Sequence, residues 1–172
     1  ELQFDGIATH ATIWVNGTVL HRNWCGYTSM YIDITPYATY GDDLNTVAVR
    51  VDAEAQEGWW YEGAGIYRHT WLVKRSALHI PTDGVFAHPV KREDGSWEIP
   101  AEVTLYNSGK KSADSEVEVT LLTPDGEEVA AQIARVQVDA LQQVTANLKL
   151  SVNNPQLWSP DSPVLYKVRT IV

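Results

Sequence analysis

His10-Ala11-Thr12-Ile13-Trp14-Val15-Asn16-Gly17-Thr18-Val19-Leu20-His21 decides how this chain is read. Its apolar residues repeat at period two up to Val15, as in a strand with one buried face. Asn16-Gly17 is the strongest short signal for a two-residue hairpin turn, and Thr18 to His21 returns as the second strand. Outward from this hairpin the same logic holds almost everywhere, and no helical stripe of useful length appears. Tyr27 to Ile34 reads as a strand ended by Thr35-Pro36, where proline removes a ladder donor. Leu44 to Val51 alternates, with Val47, Val49 and Val51 on one face, and Ile66 to Val73 is a further strand.

Beyond Lys74-Arg75-Ser76-Ala77-Leu78 the chain changes character. Five of the seven tryptophans precede this junction, and the remainder is poorer in aromatic residues. A hairpin turn at Asp94-Gly95 leads into Trp97, Ile99, Ala101, Val103 and Leu105, all of one parity. Strands follow over Val117 to Leu121, Ile133 to Val138, Val144 to Leu150 and Val164 to Thr170. Short strands at this density, over about ninety residues, predict a two-sheet sandwich of immunoglobulin type. The fold class is therefore all-β, with one domain over 1–78 and a second over 79–172. Five or six strands in the first domain fall short of the roughly eight of a closed jelly roll. Strands from a preceding segment or another molecule are expected to complete it. The start at Glu1-Leu2-Gln3-Phe4 reads as the middle of a strand, so a piece of a longer protein is expected.

Composition excludes several function classes. A net charge of −9 argues against a nucleic-acid partner, whose phosphates need Lys and Arg. No apolar run approaches the roughly 18 to 20 residues of a membrane-spanning helix. The single cysteine, Cys25, rules out an intrachain disulfide or a cysteine cluster for a metal. Histidines at 10, 21, 69, 79 and 88 have no metal-site spacing, and no cofactor is expected in this chain. Gly63-Ala64-Gly65 is followed by a strand pattern and lacks the helix of a phosphate loop. Glycoside hydrolysis needs two carboxylates, about 5 Å apart in a retaining enzyme. The densest acidic cluster is Glu54, Glu57 and Glu62, which on an exposed loop reads first as a hydrated surface. Trp59-Trp60-Tyr61, between Gly58 and Glu62, is more pointed, because three successive aromatics cannot all enter one core from a regular strand. Aromatic faces beside carboxylates suit sugar rings, but such residues more often plug the end of a sandwich or form a domain interface.

Several runs carry a family resemblance. Phe4-Asp5-Gly6-Ile7 through Trp14-Val15-Asn16-Gly17 resembles the sugar-binding domain of glycoside hydrolase family 2. So do Gly26-Tyr27-Thr28-Ser29, Tyr31 to Tyr37, and Leu44 to Val51. Trp60-Tyr61-Glu62-Gly63-Ala64-Gly65-Ile66-Tyr67-Arg68 is similar to the signature near the end of that domain. Asn154-Pro155-Gln156-Leu157-Trp158-Ser159-Pro160 with Leu165-Tyr166 is similar to the close of the immunoglobulin-like domain that follows. The resemblance implies a partial jelly roll, an immunoglobulin-like sandwich, and a TIM barrel that bears both catalytic glutamates of a retaining exo-β-glycosidase. About 250 residues are needed for such a barrel, so this chain is implied to be non-catalytic. The signatures look most like β-galactosidase-type members from gut bacteria, which are often periplasmic or secreted.

The same resemblance implies that jelly-roll loops cap the sugar pocket. The family's contributing carboxylate aligns with Gly58 or Trp59, one or two residues from Glu57. Glu57, Trp59, Trp60, Tyr61 and Glu62 are thus the pocket or interface candidates, with Arg68 and Trp158 structural. Trp158 is expected to plug the second sandwich or to lie at an interface. The implied partners are a β-glycoside, the barrel, the missing strands and a second copy of the chain. Two other readings differ in class: a stand-alone carbohydrate-binding module, and a purely structural pair of sandwiches.

Overall fold

The computed structural model describes residues 1–54 and 63–172. All regular structure in them is β, divided between two compact units, Glu1–Lys74 and Arg75–Val172.

The first unit contains β1 (Leu2–Phe4), β2 (Ile7–Ala8), β3 (His10–Val15), β4 (Thr18–Asn23), β5 (Met30–Ile32), β6 (Val47–Asp52), β7 (Gly65–Ile66) and β8 (Thr70–Leu72). Two three-stranded sheets, β5-β1-β8 and β4-β3-β6, are joined by a short β2-β7 ladder. Period two explains the packing: Leu2 and Phe4 from one sheet meet Ala11, Ile13 and Val15 from the other in one buried cluster. Asn16 and Gly17 both have positive φ, at 50° and 83°, as the two-residue hairpin turn requires.

Three strands are shorter than the apolar pattern predicts, each for a local reason. The strand expected over Leu44 to Val51 begins at Val47. Thr46 instead donates its N–H to Asn16 Oδ1, and Asn45 bonds the backbone of Thr39, so side-chain bonds take the place of ladder bonds. The strand expected over Tyr27 to Ile34 keeps only Met30–Ile32, because Asp33 Oδ1 accepts the Thr35 N–H and opens a turn. The strand expected over Ile66 to Val73 is broken in two. Its partner chain is itself interrupted at Asp5-Gly6, so Ile66 pairs with Ile7 while Thr70 pairs with Phe4.

Among the described residues, β6 pairs only with β3, and β8 only with β1. Both edges leave inward-facing side chains uncovered. Leu72 stands opposite buried Leu2 yet is 58% exposed, and Val47 stands opposite buried Val15 yet is 42% exposed.

The second unit contains β9 (Leu78–His79), β10 (Val85–Ala87), β11 (Val90–Lys91), β12 (Trp97–Asn107), β13 (Ala113–Leu122), β14 (Glu128–Val138), β15 (Gln143–Val152) and β16 (Lys167–Ile171). Long β12 pairs along its length with β15 and, on its other edge, with β11, β10 and β9 in turn. Pro100, which has no N–H to give, falls opposite the gap between β10 and β11. The second sheet has the order β14-β13-β16. The inward parity of β12 (Ile99, Ala101, Val103, Leu105) packs against Val117, Val119 and Leu121 of β13 and Ala146, Leu148 and Leu150 of β15. This is a sandwich held by apolar burial without a disulfide.

On the outer face of β12, Glu98 is bonded by Arg92 and lies 3.4 Å from Lys149 Nζ. The hydrogen bond from Arg92 holds its carboxyl below the usual carboxylate range. A lowered folded pKa means stability that is present above the unfolded value and lost as pH falls through the folded one. Glu98→Gln is therefore expected to lower Tm at neutral pH. In thermal scans against pH, the gap to the unsubstituted protein should close in acid.

Candidate functional site

The pocket candidates Glu57, Trp59, Trp60, Tyr61 and Glu62 lie outside the described residues. The strands on either side of them in the sequence are β6 and β7. Asp52, at the end of β6, stands opposite His10, and Gly65, at the start of β7, stands opposite Ala8. Both ends therefore pair with one short segment, Ile7–His10.

Two further features sit on that segment. The Trp24 ring meets His10 edge-on, with ring centroids 5.3 Å apart, and most of Trp24 is exposed. Tyr67 donates its hydroxyl to the Gly26 carbonyl at 2.7 Å, which ties the 24–28 loop to the connection between β7 and β8. Gly6 makes this approach possible: a Cβ there would stand 2.9 Å from both Gly26 O and the Tyr67 ring. Trp24, against His10, and Tyr67, bonded to Gly26, are both exposed here, as is Tyr27 next to Gly26 in the chain.

A second cluster, not foreseen from the sequence, lies on the outer face of β5-β1-β8. Gln3 stands between Tyr31 and Trp71 in one cross-strand row, with both aromatic side chains half-exposed. Trp71 Nε1 donates to Asp5 Oδ2 at 3.3 Å, His69 stacks on the Trp71 ring, and His69 Nδ1 lies 3.6 Å from the same oxygen. His69 and Trp71 are two positions apart in the sequence. Asp5 joins them only through the register of strands more than sixty positions apart.

Arg68 falls in the break between β7 and β8 and is exposed, its Cδ against the space above Gly6. Trp158 does not plug the second sandwich: it is 58% exposed. It lies in the segment between β15 and β16, where Pro155, Pro160 and Pro163 keep the backbone out of the ladders and Ser159 bonds Ser162 in a tight turn. Leu157 and Leu165 are exposed with it. Among the described residues, no three His, Cys, Asp or Glu side chains converge as a metal site would require.

These two sandwiches, with aromatic residues gathered at one end and one outer face of the first, are the architecture of a known group of proteins. Residues 78–172 match the family model for glycosyl hydrolases family 2, and the chain belongs to that family. It is 33% identical over its whole length to the β-galactosidase BoGH2A of Bacteroides ovatus, of which it spans 20%. A solved glycosyl hydrolase family 2 member from Bacteroides cellulosilyticus superimposes with a TM-score of 0.88 at 35% identity. That match covers 99% of this chain and 24% of the other. A Bacteroides uniformis β-glucuronidase superimposes with a TM-score of 0.86 at 28% identity, covering 98% and 21%. The chain therefore spans about a fifth to a quarter of the length of these relatives.

Proposed function

We propose that this chain is the non-catalytic β-sandwich part of a retaining β-glycosidase, of β-galactosidase type, and that it shapes the sugar pocket of a TIM barrel elsewhere in the same protein. The observation that carries this reading is the end-to-end match to one fifth of a β-galactosidase. In the longer protein, a barrel glutamic acid protonates the glycosidic oxygen while a second glutamate attacks the anomeric carbon, and water releases the sugar with retention. The share of this chain is positional. The 53–64 loop, rooted at Asp52 and Gly65, borders the pocket, and Trp24 and Tyr67 stand beside its roots.

The uncovered edges of β6 and β8 support strand addition from elsewhere in the longer protein, since an unpaired apolar edge is an aggregation hazard that native folds cover. The exposed Leu157, Trp158 and Leu165 suit a covered domain interface in the same way. The test is the full-length protein on aryl β-glycosides of galactose, glucuronic acid and mannose, with the anomer of the released sugar followed by NMR. Galactoside preference with retention is expected. Inversion, or no turnover on any of the three, would refute the reading.

One observation favours a second reading, a carbohydrate-binding face. The Tyr31–Gln3–Trp71 row, with Asp5 and His69, sets half-exposed rings among hydrogen-bonding groups. Quenching of Trp71 fluorescence by galactosides, abolished by Trp71→Ala, would support it.

A further inference from the structure

The chain has one Asn-Gly pair, Asn16-Gly17, at the exposed tip of the first hairpin. Asparagine before glycine is open to self-modification. The Gly17 peptide nitrogen can attack Asn16 Cγ, forming an N–Cγ bond while the Cγ–Nδ2 bond breaks. The peptide proton passes to the leaving nitrogen, which departs as ammonia. One water then opens the cyclic imide to aspartate or isoaspartate. Water is the only co-reactant, and a following glycine presents no side chain to obstruct the attack.

In the folded chain the Asn16 carboxamide is held elsewhere. Nδ2 donates to Tyr37 O at 2.9 Å and to Asn45 Oδ1 at 2.8 Å, and Oδ1 accepts the Thr46 N–H at 2.9 Å. The Asn16 N–H donates to Thr46 O at 2.9 Å. Asn45 is in turn fixed at both side-chain atoms by the Thr39 backbone, at 2.7 and 2.8 Å. One side chain thus latches the hairpin tip to two other segments, the turn around Tyr37–Thr39 and the approach to β6. Swinging Cγ toward Gly17 breaks that latch.

We propose that Asn16 is a gated deamidation site, protected while the latch is closed and reactive when it opens. The product cannot restore the two bonds that Nδ2 donated, although its side-chain oxygen can still accept the Thr46 N–H. An aspartate at 16 has no donor for Tyr37 O or Asn45 Oδ1 and sets a negative oxygen against both. Isoaspartate also inserts a backbone carbon at the turn. Each event therefore leaves the hairpin tip without its bonds to Tyr37 and Asn45, so that modification at one atom records the opening history of the fold.

The test is the rate of mass increase at Asn16, followed by peptide mapping of the full chain at mildly alkaline pH. The native chain is expected to react on the order of tenfold or more slowly than the same chain in urea, since local opening must precede attack. Asn45→Ala removes one of the two acceptors of Nδ2 and is expected to raise the native rate about fivefold, the effect of one net hydrogen bond on an opening equilibrium. Equal rates in native and urea-unfolded chain would overturn the proposal, as would an unchanged rate in folded Asn45→Ala. If that variant does not fold, the native-against-urea comparison still decides.

Discussion

Phe4→Ala is expected to destabilise the first unit by about 3–5 kcal/mol, the usual cost of removing a buried phenylalanine ring. Phe4 is 2% exposed on the central strand of β5-β1-β8, flanked by Met30 and Thr70, and its ring lies in the cluster shared with the facing sheet. With sheets of only three strands there is little material to collapse into the cavity, so the loss falls near the upper end of that range. The second phenylalanine is the internal control. Phe86 lies on the outer face of its sheet, 57% exposed and touching His88. Phe86→Ala is expected to change stability by no more than about 0.5 kcal/mol. Urea unfolding followed by tryptophan fluorescence separates the two. Equal effects would mean that the inward and outward faces have been assigned wrongly.

Asn107→Leu is expected to cost the second unit about 3 kcal/mol despite its similar volume, because three hydrogen bonds vanish at a buried site. Asn107 ends β12. Its Nδ2 donates to Lys111 O at 2.8 Å and to Val138 O at 3.0 Å, and its Oδ1 accepts the Gly109 N–H at 2.9 Å. The side chain thereby closes the connection to β13 and holds it to the end of β14. Asn107→Asp should be no better at neutral pH, since a carboxylate cannot donate to two carbonyls and its charge is buried. Thermal unfolding reads the loss, and hydrogen exchange at Gly109 reads its location. A Tm unchanged in both variants would contradict this account of the corner.

What could be read from sequence follows from how local the cause is. Ile99, Ala101, Val103 and Leu105 are buried as their alternation predicts, because a single parity on one long strand needs no partner to be identified. The Asn16-Gly17 turn is equally local. The interruption at Tyr67 to His69 was not legible. It is imposed by a break at Asp5-Gly6 in a partner strand, and apolar periodicity carries no register information across that distance. The same holds for the Asn16–Asn45 latch and the Asp5–His69–Trp71 cluster, each assembled from segments far apart in the chain. Of the two readings of Trp158, plug of the second sandwich or part of an interface, its exposure leaves the interface. Glu57, Trp59, Trp60, Tyr61 and Glu62 lie outside the described residues.

The central claim is that these two β-sandwiches scaffold a reaction whose chemical groups lie elsewhere in a longer protein. Aryl β-galactoside turnover, measured side by side for the purified 172-residue chain and for the full-length protein, tests it most directly. The expected result is activity in the full-length protein alone. Turnover by the 172-residue chain by itself, at a rate comparable with the full-length protein, would contradict it.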